Sequence, residues 1–331
     1  MEREEEFHQV VVTSRIKNMC VSPLNATCSD GNMPHHGHCG GVCADWSTAA
    51  FVSIAQIAAV TQVQRDCAIR GSGSCTLKQS ERIDTYLSRM NYYDLTGIHH
   101  VEDFTRHKSG DRFLPMQKIE KGQNANSVPD RLTEMVTSRV SITDSVRDSI
   151  LYAFGEVVDN VVQHSGSPSG GVACAQYYER AFSQPCIEYC VADSGDGIAA
   201  SMAQNKLYSD LNGDELLAHA FEDNTGQWIG NTDIGSPMQS GGKGLWIAAN
   251  LAQALGGTIW CISHSHSVAV SRAGICHTNG LYYPGTIVCC RLPVPPEATV
   301  LDTQLYGCGL GKPARWNSLD GRYCDDDGGL W

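Results

Sequence analysis

Glu156 and Asn160 stand four residues apart in LYAFGEVVDNVVQHS, where Leu151, Phe154, Val157, Val158 and Val161 recur at helical spacing. On a helix those five share one face, and Glu156, Asn160 and Gln163 share the opposite one. A carboxylate and an amide oxygen one turn apart are hard oxygen donors of the kind that enter a magnesium shell. Asn is a poor helix former, so its place in mid-helix has a cost to explain. A plain solvated face on a core helix reads the same way.

Two further stretches carry chemistry. In IEYCVADSGDGIA the run from Ile187 to Ala192 reads as a buried strand ending at Asp193, Gly195 and Gly197. A carboxylate just past a strand end can accept a hydrogen bond from an amine, and glycines let backbone approach a flat ligand closely. Ordinary turns also use Asp and Gly. In SGGKGLWIAANLAQALGG, Gly241, Gly242 and Gly244 precede a helix expected from near Leu245 and closed by Gly256 and Gly257. Such a loop presents free N–H groups and the positive end of the helix dipole to phosphate. Lys243 can add a point charge there or simply stand exposed. The Walker pattern GxxxxGK[ST] is absent.

In this order and at these distances, the three stretches resemble the signature of the GHKL superfamily of ATPases (gyrase, Hsp90, histidine kinases and MutL). GEVVDNVVQHS resembles the magnesium helix, DSGDG the adenine box, and GGKGLW the phosphate-binding glycine box. GGTIWCIS and the Gly285–Thr286 pair before IVCCRLP resemble the strands that follow. The resemblance implies a Bergerat α/β sandwich with a mixed sheet over residues 132–295, binding ATP with Mg²⁺. It implies that Asn160 coordinates Mg²⁺ with Glu156 beside it, and that Asp193 takes the adenine amine with help from Thr286. Gly195 and Gly197 would make room for the base, and Gly242, Lys243 and Gly244 would line the phosphates. Glu156 would activate the attacking water as catalytic base. Residues 198–241 would form a lid that closes over nucleotide.

The elements ahead of this region read as a smaller α/β unit over residues 1–100. Its segment STAAFVSIAQIAAVTQVQRD has apolar residues at helical spacing, with Ser47 or Asp45 placed to cap it. ERIDTYLSRMNYYDLTG reads as one further helix, closed by Gly97. Together they resemble the STAS-like module that precedes GHKL domains in some bacterial regulators, although Asp45-Trp46-Ser47-Thr48 departs from the usual phosphoacceptor turn. The polar composition of 101–131 suits a linker, and 296–331 reads as a tail. Cys28, His35, His36, His38, Cys39 and Cys43 are ligand types for zinc, but their spacing fits no standard finger and an ordinary loop reads the same way.

A net charge of −12 argues against a nucleic-acid backbone as the main partner. No long apolar stretch suggests a membrane span, and the acidic start MEREEEFH lacks the apolar core of a secretory signal, so a cytoplasmic location with reduced thiols is expected. Long phosphoacceptor helices of a sensor kinase are missing ahead of the ATPase region. What emerges is an ATP-binding regulator of the anti-sigma type acting on a protein partner, with a homo-oligomer compatible. ATP would phosphorylate that partner, in the manner of a serine/threonine kinase, or be hydrolysed slowly to switch conformation. The alternative is a non-catalytic nucleotide sensor whose closed lid forms a protein-binding surface.

Overall fold

The computed structural model describes residues 8–12, 26–28, 41–47, 49, 51–71, 74–78, 81–106, 112–120, 127–138, 144–180, 184–222, 244–277, 282–293, 315–317 and 322–324. Strands β1 (His8–Val12), β2 (Ala26–Cys28) and β3 (Gly41–Asp45) lead into helix α1 (Ile54–Ile69) and strand β4 (Ser74–Lys78). They form a four-stranded sheet in the order β2-β1-β3-β4, with β3 parallel to both β1 and β4. Short helices α2 (Asp84–Arg89) and α3 (Tyr92–Thr96) follow.

The second sheet has seven strands: β5 (Phe113–Ile119), β6 (Gly171–Tyr178), β7 (Cys186–Asp193), β8 (Thr258–His264), β9 (His266–Ser271), β10 (Gly274–His277) and β11 (Tyr283–Pro293). Their order is β10-β9-β8-β11-β7-β6-β5, and every pairing is antiparallel. The mixed pairing expected for the ATPase region is found only in the smaller sheet. Between β5 and β6 run α4 (Ser127–Thr137) and α5 (Asp144–His164). Between β7 and β8 run α6 (Ile198–Ala203), α7 (Gly213–His219) and α8 (Gly244–Ala254). A small hairpin of β12 (Arg315–Asn317) and β13 (Arg322–Cys324) lies in the C-terminal region.

Helices cover both faces of the large sheet. On one face Phe154, Val157, Val158 and Val161 of α5 and Leu245, Ala248 and Ala249 of α8 pack against Tyr189, Val191 and Ile259. On the other, Ile54, Ile57 and Ala58 of α1 share a core with Cys174, Cys190, Ile287 and Cys289. Trp46, Leu87 and Tyr92 close over the far side of α1. A helix enclosed on all sides has no solvent face, which is why Gln56, Gln62, Gln64, Arg65 and Asp66 are buried along with its apolar residues. Cys174, Cys190 and Cys289 stand directly opposite one another on β6, β7 and β11, beneath this helix.

Helix α1, although it belongs to the N-terminal hundred residues, completes its burial against the seven-stranded sheet. The expected linker contains β5, an edge strand, and the first residues of α4. Pro115 is tolerated there because an edge strand can lose an N–H, and the register shifts between Leu114 and Gln117. Finally, α1 is capped by Ser53, whose hydroxyl accepts from the Gln56 N–H at 3.2 Å while Gln56 Oε1 accepts from the Ser53 N–H at 3.0 Å. Ser47 instead turns back and donates its hydroxyl to Asp45 at 2.5 Å.

The single helix expected after β4 is two, broken at Asn91, whose φ of +63° leaves the helical region. Gly97, at φ +72°, ends the second as expected. No helix among the described residues is long and apolar enough to cross a membrane.

Candidate functional site

Asp193 is the last residue of β7 and sits between Gly171 of β6 and Thr286 of β11. Its side chain is buried, with Oδ1 accepting the Gly195 N–H at 2.8 Å. Burial pushes its carboxyl up to about 7, against the pull of the Gly195 and Thr286 backbone donors and with a smaller push from Asp196. A carboxylate kept from water with donors already aimed at its charged form is prepared to bind a further donor.

The turn after Asp193 is fixed by contacts within the chain. The Asp196 N–H donates to the Ser165 carbonyl at 2.7 Å. A Cβ at Gly195 would lie 1.8 Å from that same carbonyl oxygen, so only glycine fits. The expectation was room for a flat ligand; here the close approach is to the C-terminal end of α5. Gly197, at φ +82°, precedes α6, and the Ile198 N–H donates to Ser263 Oγ at 2.8 Å. His264, on the same strand, sets Nε2 2.8 Å from the Asp196 carbonyl.

Helix α5 presents Glu156, Asp159 and Asn160 on the side turned away from its apolar stripe. Asn160 is half-buried, and Gln163 is exposed. Glu156 is not the solvated residue a simple wheel suggests: it is 9 % exposed. Burial raises its carboxyl to about 7; Tyr152, one turn earlier, donates its hydroxyl and opposes that rise, while Asp159 adds to it. What buries Glu156 is the start of α8. A Cβ at Gly244 would fall 2.2 Å from the Glu156 Cβ and 2.7 Å from its Oε2, so the glycine lets the helix N-terminus rest on the carboxylate. Free N–H groups at that end favour negative charge beside them.

Asp159 was missed by the sequence reading. Burial raises its carboxyl to about 6. The signal was available, since a residue three after Glu156 lies on the same helix face. Oxygen donors from Asn160, with Glu156 or Asp159 beside it, are the chemistry that Mg²⁺ takes, and few protein ligands are needed when phosphates and water supply the rest. Among the described residues no cluster of three or more His, Cys, Asp or Glu is placed to hold a metal by itself. His35, His36, His38 and Cys39 of the suggested zinc loop lie outside the described residues.

So do Gly242 and Lys243. Of the expected lid, residues 198–222 fold as α6, a 3-10 turn at Lys206–Tyr208, and α7. Asn212 caps α7 by accepting from the Asp214 and Glu215 N–H groups, each at 3.0 Å. His266 on β9 pairs with Asp214 at 2.9 Å and ties this helix to the sheet. Residues 223–243 lie outside the described residues. A cleft of about 540 Å³ lies along the α5–β6 connection, lined by Arg65, Lys118, Glu120, Gln163 and the serines of that connection rather than by Asp193.

Residues 145–296 match the family model of histidine kinase-, DNA gyrase B-, and HSP90-like ATPases. The chain thus carries a GHKL-type ATPase domain over those residues. No curated protein matches the chain.

Proposed function

We propose, with that ATPase match as premise, that the chain is an ATP·Mg²⁺-binding regulatory protein whose turnover acts on a protein partner or on its own conformation. Three observations support the proposal. Glu156, Asp159 and Asn160 lie along one side of α5, the N-terminus of α8 rests on Glu156, and Asp193 lies buried at the end of β7.

In this reading Asp193 accepts the adenine amine, and Thr286 beside it helps. Gly195 and Gly197 shape the turn that holds Asp193. Asn160, with Glu156 alongside, holds Mg²⁺, which when bound neutralises phosphate charge. Gly242, Lys243 and Gly244 line the phosphates, with the α8 dipole favouring their charge. Glu156 takes the proton of the attacking hydroxyl or water; a carboxyl raised to about 7 is a stronger base than a surface glutamate and still substantially ionised at neutral pH. The first hundred residues serve as a STAS-like regulatory unit. Labelled phosphate from γ-labelled ATP, recovered free, on the chain or on an added protein, separates hydrolysis, self-transfer and partner transfer. If all label stays in ATP, the chain is a sensor instead.

Asp193→Asn is expected to weaken ATP binding by about 1.5–3 kcal/mol, the range for a hydrogen bond to a charged group. The carboxylate form is depleted below pH 7, since its pKa is raised. Wild-type affinity should therefore climb from pH 6 to pH 8, and the climb should be smaller in the Asn variant. Guanine nucleotides, with a carbonyl in place of the amine, should bind poorly. Equal ATP and GTP affinity in a titration sinks the assignment.

Asn160→Ala is expected to remove the magnesium dependence of binding with a stability change within about 0.5–1 kcal/mol, because the side chain is only half-buried and off the apolar stripe. Aggregation, or a collapsed melting temperature, would instead make Asn160 a structural residue.

A further inference from the structure

Residues 165–171, SGSPSGG, join α5 to β6 and are held from two sides. One side is the turn after β7: the Asp196 N–H donates to the Ser165 carbonyl at 2.7 Å, and Gly195 packs on that carbonyl. The connection braces itself as well. Ser165 Oγ donates to the Val161 carbonyl at 2.6 Å, and the Ser167 N–H donates to Ser165 Oγ at 3.1 Å.

The other side is the C-terminal half of α1. Gln62 donates through Nε2 to Ser169 Oγ at 2.8 Å and to the Gly170 carbonyl at 3.0 Å. Arg65 donates to the Gly171 carbonyl and to the Ser169 carbonyl, each at 3.1 Å, and to Gln62 Oε1 at 2.8 Å. Ser169 Oγ in turn donates to Asp66 Oδ1 at 3.0 Å. All of these side chains are buried. Polar groups buried away from water are costly unless bonded, so α1 and the connection hold each other in place.

We infer that Arg65 and Ser169 are positioning residues for the base-binding end of the nucleotide site, and that α1 sets the affinity for the purine through residues 165–171. The inference rests on the reading that Asp193 takes adenine. The path is short and made of direct contacts: α1 holds Ser169 and Gly171, Gly171 pairs with Asp193 across β6 and β7, and Ser165 holds the turn containing Gly195 and Asp196. The phosphate end is held differently. Glu156 and Asn160 lie earlier on α5, and Glu156 packs against α8. Releasing the hold of α1 on the connection should therefore loosen base recognition and leave phosphate recognition alone.

Three variants of the full chain test this with adenosine, ATP and Mg²⁺·tripolyphosphate as probes. Ser169→Ala removes the hydroxyl shared by Gln62, Asp66 and, at 3.1 Å, the Ser167 hydroxyl, and Arg65→Met removes the guanidinium. Tyr92→Phe is the control: its hydroxyl donates to Gln64 Oε1 at 2.6 Å, so it removes one buried hydrogen bond to α1 and leaves the bonds from Gln62, Arg65 and Asp66 to the connection in place. Ser169→Ala should lower adenosine and ATP affinity about fivefold, equivalent to about 1 kcal/mol, with tripolyphosphate affinity unchanged. Arg65→Met should lower them further, and Tyr92→Phe should change neither. Should Arg65→Met fail to fold, Ser169→Ala still decides. Adenosine binding at wild-type strength in Ser169→Ala overturns the inference. So does a loss of all three probes that tracks melting temperature in every variant, since that marks mere destabilisation. If the wild type binds tripolyphosphate but does not prefer ATP to GTP, the reading of Asp193 fails first, and the two failures are told apart.

Discussion

Glu156→Gln is expected to bind ATP within about twofold of wild type and to turn it over about a hundredfold more slowly. A general base must reach the proton it removes, and Glu156 stands one turn before Asn160 on the same side of α5, against the N-terminus of α8. The amide keeps the shape and removes the basicity. The same change should alter stability in a definite direction. A carboxyl whose pKa rises to about 7 on folding holds its proton in the folded chain at pH values where the unfolded chain has released it. Stability then falls as pH rises from about 4.5 to about 7, the opposite of a salt-bridged acid. Glutamine removes that loss, so the variant should gain on the order of 1–3 kcal/mol at pH 8 and nothing at pH 4. Phosphate release and melting curves measured on one preparation test both halves. A variant that releases or transfers phosphate as fast as wild type removes Glu156 from the chemistry, and an unchanged melting temperature at pH 8 removes the burial argument.

The second large effect lies away from the nucleotide. Arg291 of β11 stands opposite Glu188 of β7, with side-chain exposures of 1 % and 0 %. Arg291 Nε donates to Glu188 Oε1 at 2.6 Å, and the guanidinium lies over the Trp260 ring at 5.1 Å. Burial raises the Glu188 carboxyl, and Arg291 opposes the rise. Removing one partner leaves the other charge stranded in the core. Arg291→Met is therefore expected to cost about 3–5 kcal/mol, whereas Glu188→Leu with Arg291→Met should recover most of it. Urea melts of the two variants at pH 7 give the comparison. Equal losses would mean that the pair's attraction, rather than an isolated charge, sets the cost.

The parts of the site that could be read in the chain are those fixed by local spacing. Phe154, Val157, Val158 and Val161 recur with the helical period and do form the buried stripe of α5. Asp193 ends a strand, and Gly244 opens a helix, as the apolar runs around them suggested. What escaped depends on distant partners. Gln62, Arg65 and Asp66 look like a solvated face, and only a second layer on each side of α1 makes them buried. FLPMQKI, with a proline inside it, reads as linker, yet the sheet edge accepts it as β5. Glu156 looked exposed because the residue that covers it, Gly244, is 88 positions further along the chain. The reason for Gly195 was likewise hidden, since the carbonyl it makes way for belongs to Ser165.

Strand β11 occupies the middle of the seven-stranded sheet, between β7 and β8, and it also contributes Ile287 and Cys289 to the core beneath α1. This has a consequence for how the chain is made. A ribosome delivers α1 more than two hundred residues before β11, so the helix must wait for its last partner. Until then β7 and β8 each have an open edge, and the apolar side of α1 is only partly covered. Nascent chains stalled before Tyr283 should stay protease-sensitive throughout, N-terminal unit included, and should gain resistance together once Pro293 has cleared the exit tunnel.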